Sequence, residues 1–194
     1  MVRSRVLPSG FYDRPTLEVA ADLIGKVLVH TFRGKRTSGV IVEVEAYIGE
    51  TDPACHAAPG PTKRNQPLYG PPGRAYVYLN YGIHHLVNAV TEREGFPAAV
   101  LIRALEPLEG IDAMRRRRGR KHLDDVKLCS GPGNLTVALG IKPRHNRADL
   151  TTSGVTIEDQ GLPKRRISWS PRIGISVGKQ HKWRCFDPDS KAVS

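Results

Sequence analysis

The stretch "KVLVHTFRGKRTSGVIVEVEAY" occupies residues 26–47, and its reading decides the fold class. Its two ends, "KVLVHTF" and "VIVEVEAY", are rich in β-branched and apolar residues. The "RGKRTSG" between them supplies glycine and three cations for a turn. Two such runs joined by a short polar turn read as a β-hairpin. Side chains alternate across a strand, so Val42, Val44 and Ala46 are placed together on the core face, and Glu43, Glu45 and Tyr47 on the other. Periodicity alone makes that second face a solvated one. Two features point elsewhere. A tyrosine beside an acid suits a pocket wall, and the strand runs straight into a long loop ("IGETDPACH"), where sites collect.

Working outward, "DRPTLEVAADLIG" (13–25) reads as a helix, with Asp13 as cap, Pro15 in the first turn, an apolar stripe of Leu17, Ala20, Ala21 and Ile24, and Gly25 as stop. Residues 1–12 read as an arm and 187–194 as a tail. The segment from "IGETDP" to "GPPG" is long, irregular and rich in Pro and Gly, which marks functional loops more often than idle ones. "RAYVYLNYGIHHLVNAVT" alternates like strands broken at Gly82, and "AAVLIRALEP" is a further strand. "PLEGIDAMRRRRGR" reads as a helix ending in cations. "SGPGNLTVALGI" reads as a short helix capped by Ser130 and stopped by Gly140. Short strands are expected around 155–158 and 173–177. No repeat or linker marks a boundary, so residues 1–194 read as a single domain. The elements show no βαβ rhythm, which favours α+β over a doubly wound sheet.

Lys and Arg total 30 against 19 Asp and Glu, for a net charge of +11 and a pI near 9.9. That excess favours a polyanionic partner, because neutralising phosphates releases counterions. Charge alone does not decide it, since many small proteins are basic. The three cysteines, Cys55, Cys129 and Cys185, form no CxxC pair and suggest neither a zinc ribbon nor a disulfide framework. No signal-peptide core and no membrane-length apolar run occurs, so a cytoplasmic location is expected, in a bacterium beside the chromosome. Adjacent His84 and His85 face opposite ways on a strand and make no metal pair. The absence of an HxE with PCxxC argues against a zinc deaminase, and no GxSxG nucleophile elbow occurs. "SGPGN" (130–134) offers amides to a phosphate but lacks the lysine and spacing of a P-loop.

Several residues suit nucleic acid. Tyr76 and Tyr78 share one strand face, as core tyrosines or as platforms for a base. Tyr81 beside Gly82 sits at a turn, as a wedge into a base stack would. "MRRRRGRK" (114–121) and Lys164, Arg165 and Arg166 read as phosphate contacts or solvated charge.

Taken together, "VEVEAYIGETDPACH", "KRN" followed by "GPPGRAYVYLNYG", "VNAV", "AAVLIRALEPLEG", "LCSGPGNL" and "RIGISVGK" resemble the alkyladenine (3-methyladenine) DNA glycosylase family, in order, from about residue 15 to 186. The resemblance implies a mixed, mostly antiparallel curved sheet surrounded by helices, with a protruding hairpin that intercalates in DNA. It implies Glu45 as the base that activates water and Arg103 as its positioning cation. Tyr47 would stack on one face of a flipped base, with His56 and Tyr78 on the other and Asn88 at the pocket floor, against the exocyclic amine of guanine. Tyr81 would fill the gap left in the duplex, and Arg64, Asn65, Arg115, Arg116, Lys164 and Arg165 would hold the DNA backbone. The chain departs from the family pattern in a loop one residue shorter between His56 and Arg64, in Ala57 where a serine often stands, and in Asn80 before the wedge.

The expected reaction is hydrolysis of an N-glycosidic bond in duplex DNA carrying alkylated or deaminated purines (3-methyladenine, 7-methylguanine, hypoxanthine, ethenoadenine). A carboxylate must stabilise an oxocarbenium-like centre and take a proton from water. No lysine falls in the matched pocket motifs, so no lyase step is expected. The resemblance implies neither a cofactor nor a metal, and one pocket suffices in a monomer. The alternatives are a non-catalytic binder of damaged DNA or structured RNA, and a single-strand-binding module. Both gain little from an acid facing a polyanion.

Overall fold

A computed structural model of the chain describes residues 4–120 and 122–194. The expected hairpin is present as β2 (Val27–Phe32) and β3 (Lys35–Ile48). β3 is the axis of the fold. One edge pairs along its length with β6 (Ala98–Glu109). The other edge is shared, by β2 over residues 35–40 and by β9 (Arg184–Phe186) over 43–45. β7 (Val155–Asp159) and β1 (Arg5–Val6) extend the sheet beyond β2. β5 (His84–Val90) and β4 (Ala75–Asn80) extend it beyond β6, and β8 (Ser168–Ser170) pairs with β9. The sheet is open and the fold is α+β as expected. Every described ladder is antiparallel, in keeping with the mostly antiparallel sheet expected.

Where the edge of β3 passes from β2 to β9, the ladder with β6 is irregular. Ile41 faces Leu105, Glu43 faces Ala104 and Val44 faces Ile102, which leaves one extra residue on each strand, Val42 and Arg103. Bulges of this kind re-aim side chains. Val44 and Ala46 enter the main core, whereas Val42 packs with Ala104 and Ala192 in a separate cluster. The three therefore do not share a face, contrary to the plain alternation.

The α-helices pack into one core with the sheet. α2 (Thr16–Leu23), α3 (Ile111–Arg118), α4 (Asp125–Leu128) and α5 (Pro132–Leu139) place Val19, Leu23, Met114, Leu128 and Leu135 in one core with Leu28, Ile41, Val44, Val100 and Ile102. Each such buried aliphatic contributes roughly 1.5–3 kcal/mol. The opposite face, with Tyr76, Val90 and Ala99, is covered by the loops of residues 49–74, and the site lies on that face.

Local readings shift accordingly. α2 begins at Thr16 rather than near Asp13, and buries Thr16, Val19, Ala20 and Leu23 instead of a stripe through Leu17. β6 continues through Pro107 to Glu109, because the start of β3 still pairs with it, so α3 starts only at Ile111. The cap of α5 is Gly131, not Ser130, and its stop is Gly140. Residues 173–177 form no strand. Described residues near both ends pack on the sheet. Arg5–Val6 pairs with β7 and Tyr12 in α1 (Ser9–Tyr12) is buried, while Asp187 and Ala192 are buried beside the sheet.

Candidate active site

A cleft of about 300 Å³ opens on the loop-covered face, lined among others by Tyr47, His56, Tyr78, Asn88, Leu101 and Arg103. Its size lies at the small end of ligand pockets, as suits one flat group. The strands supply its rigid parts. Asn88 on β5 faces Tyr76 on β4 and Leu101 on β6. The Asn88 amide donates to the Tyr76 carbonyl at 3.0 Å. Loop residue His56 joins this wall: its ring lies 4.4 Å from that of Tyr78, and a 2.9 Å hydrogen bond joins its Nδ1 to the Tyr76 hydroxyl. Burial first, then Arg64, holds His56 below the usual histidine range, so the ring is neutral at pH 7. Burial pushes the Tyr76 phenol up to about 12, with Arg64 opposing and Cys55 adding.

Tyr47 brings the other aromatic surface. The Arg172 guanidinium lies 4.6 Å from its ring centroid. Arg172 is itself fixed by two bonds to the Asp52 carboxylate, at 2.6 and 2.8 Å, with both side chains fully buried. Burial, then Glu45, drives the Tyr47 phenol far above the ordinary tyrosine range, so it stays a donor.

Glu45 stands behind this surface. Its Oε2 accepts from Tyr47 at 2.8 Å, its Oε1 accepts from the Ile173 amide at 2.7 Å, and Arg103 Nη1 lies 3.3 Å from Oε1. Glu43 and Glu45 are fully buried. The solvated face that periodicity favours is thus a polar network under the loops. Arg172, Asp52, Ile173, Arg184 and Ser194 belong to this network and were missed in the sequence. The segment "RIGISVGK" (172–179) carries the signal, but a strand expected over 173–177 assigns Arg172 no anchoring role.

Tyr81 occupies the tip of the β4–β5 hairpin and is 84% exposed, flanked by exposed Leu79 and Ile83. Tyr81 and Gly82 take φ of 48° and 70°, and a glycine accommodates that turn at little cost. α5 supports the hairpin closely: a Cβ at Gly133 would lie 2.7 Å from the His84 ring.

The residues expected at a DNA backbone do not gather. Arg64 is exposed beside Tyr78, 5.7 Å from its ring, and donates to the Leu79 carbonyl. Asn65 is instead buried, its amide donating to the His56 and Gly60 carbonyls and its oxygen accepting from Thr62 N. It shapes the loop rather than facing a ligand. Arg115 pairs with Asp125 at 2.6 Å, while Arg116 is exposed. Lys164 and Arg165 line a groove against α2 and Asp159 at the β2–β7 side of the sheet, and Arg165 is committed to Glu106 and Asp187. Lys121 of the basic run lies outside the described residues. No group of three or more His, Cys, Asp or Glu suited to a metal ion occurs among the described residues.

Fold and cleft define an α+β protein whose aromatic cleft is backed by a buried carboxylate–guanidinium pair. The family model for methylpurine-DNA glycosylase matches residues 10–191. A relative from Methanocella arvoryzae is 48% identical over 194 residues, covering 97% of this chain and 96% of its own. One from Chlorobaculum parvum is 47% identical over 190 residues, covering 97% and 90%. One from Wolbachia pipientis wMel is 45% identical over 184, covering 95% and 92%. Each carries, provisionally, the name 3-methyladenine DNA glycosylase. The chain belongs to the methylpurine-DNA glycosylase family, which supports a role in DNA repair of alkylation damage. No helix among the described residues is long and apolar enough to cross a membrane.

Proposed function

We propose that this chain removes alkylated and deaminated purines from duplex DNA by drawing the damaged nucleotide into the cleft and hydrolysing its N-glycosidic bond. The observation that carries this reading is the contact of Glu45 with both Tyr47 and Arg103 at the cleft wall. A base held between Tyr47 and the His56–Tyr78 wall lies where Glu45 can take a proton from water attacking the sugar. Arg103 sets a positive charge 3.3 Å from the carboxylate. The attack needs a water within hydrogen-bond reach of the carboxylate, and Oε2, which accepts from the Tyr47 hydroxyl, keeps a second lone pair for it. A purine alkylated at N3 or N7 carries positive charge and gains about 0.5–2 kcal/mol between aromatic faces. Asn88 at the cleft floor screens the base edge. Tyr81 enters the stack and offsets an unstacking cost on the order of a few kcal/mol. None of the described residues lining the cleft is a lysine, which supports direct hydrolysis to an abasic site.

The test is incubation with a duplex carrying one hypoxanthine, or one 7-methylguanine, followed by alkali to cut abasic sites. Cleavage at the lesion is expected. Tight lesion binding with no cleavage of any lesion duplex would favour the non-catalytic binder.

A further inference from the structure

Glu43 is the second acid of the strand, and the reaction proposed above leaves it without a task. It is fully buried, and both its oxygens are doubly engaged. Oε1 accepts from Arg103 Nε at 2.9 Å and Arg184 Nε at 2.6 Å. Oε2 accepts from the Ser194 amide at 2.7 Å and its hydroxyl at 2.8 Å. Burial pushes the carboxyl up, but the Ser194 amide and the two arginines outweigh it and hold Glu43 below the usual carboxylate range.

Arg103 shows the consequence. Its three nitrogens have three separate partners: Nε meets Glu43, Nη2 donates to the Ser194 hydroxyl at 3.1 Å, and Nη1 alone approaches Glu45, at 3.3 Å. A guanidinium beside a carboxylate otherwise prefers a two-nitrogen fork, the stronger and more geometrically fixed arrangement. The bulges at Val42 and Arg103 bring these groups together, since each extra residue lies next to Glu43 in the ladder or on the strand.

We infer that Glu43, with Ser194, is a positioning residue that holds Arg103 away from a fork with Glu45, so that Glu45 stays free to engage water. This rests on the reading of Glu45 as the water-activating acid. Without Glu43, Arg103 turns its fork onto Glu45 and occupies the carboxylate.

The test compares wild type, Glu43→Gln with Arg184→Met (which removes the cation that the first change would strand), and Ser194→Ala. Each is assayed for single-turnover excision on the lesion duplex that the wild type cleaves, and for affinity to the same duplex. The double variant is expected to excise roughly 10–100-fold more slowly, the scale of a misplaced catalytic group, with affinity within about threefold. Ser194→Ala, the milder change, is expected to lose several-fold in rate and keep its affinity. Wild-type excision rates in either variant, or rate and affinity falling together in both, would overturn the inference. Failure of the wild type to cleave any lesion duplex would instead remove the underlying reading of Glu45.

Discussion

The Tyr47 hydroxyl donates a 2.8 Å hydrogen bond to the Glu45 carboxylate two residues earlier on the same strand. One strand face therefore carries both an aromatic wall of the cleft and the acid behind it. Their backbones are fixed together, because β3 is held by β6 on one edge and, over residues 43–45, by β9 on the other.

The ring and the hydroxyl of Tyr47 then have separable effects. Tyr47→Phe leaves a buried carboxylate oxygen without its donor, a cost of about 1.5–3 kcal/mol. The melting temperature should fall by roughly 3–10 °C at this chain length. Lesion affinity should change little, since the ring stays. Tyr47→Ala should lose lesion affinity tenfold or more. Equal lesion affinity in the two variants would contradict the stacking role.

Arg172 and Asp52 form a fully buried pair on which the Tyr47 ring rests. Removing one partner strands a charge, at about 3–5 kcal/mol. Arg172→Met should therefore lower the melting temperature by about 10 °C or more. Replacing Asp52 by Leu in the same chain should recover part of the loss, as thermal denaturation would show.

His30 and His145 stack edge to face at 4.7 Å under Arg117, Arg144 and Lys142. Burial leads in lowering both, with the nearby cations adding, and His145 falls to about 4. Below the ordinary histidine range the unfolded chain takes up protons that the folded one refuses, so stability drops as pH falls from about 6.5 towards 4. His145→Asn should show a smaller fall in melting temperature across that window than wild type. An identical pH dependence in the two proteins would remove His145 as a cause.

Much of this was legible in the sequence and some was not, for physical reasons. The β2–β3 hairpin follows from alternation around a Gly-containing turn, and the antiparallel α+β class follows from it. The bulges at Val42 and Arg103 do not, because both strands look regular in sequence. The burial of Glu43 and Glu45 was equally hidden, since it depends on partners far along the chain, Arg184 and Ser194 for one and Ile173 for the other. Tyr47, His56, Tyr78, Asn88 and Arg103 line one cleft. The partners of Asn65 and Arg165 were not legible, because a polar residue in sequence does not show what it pairs with: Asn65 bonds within its own loop, and Arg165 pairs with Glu106 and Asp187.

Tyr81 is exposed and makes little contribution to the core. Tyr81→Ser should leave the melting temperature within about 2 °C, as surface changes usually do. Excision and capture of the flipped nucleotide, followed with a fluorescent base analogue beside the lesion, should both weaken. Unchanged capture would take the wedge role from this residue.

The most direct measurement is single-turnover excision by Glu45→Gln on a lesion duplex that the wild type cleaves, with lesion affinity measured on the same sample. The account predicts retained affinity and a loss of excision of at least about a hundredfold, the scale of general-base removal. Excision by Glu45→Gln at the wild-type rate would contradict it.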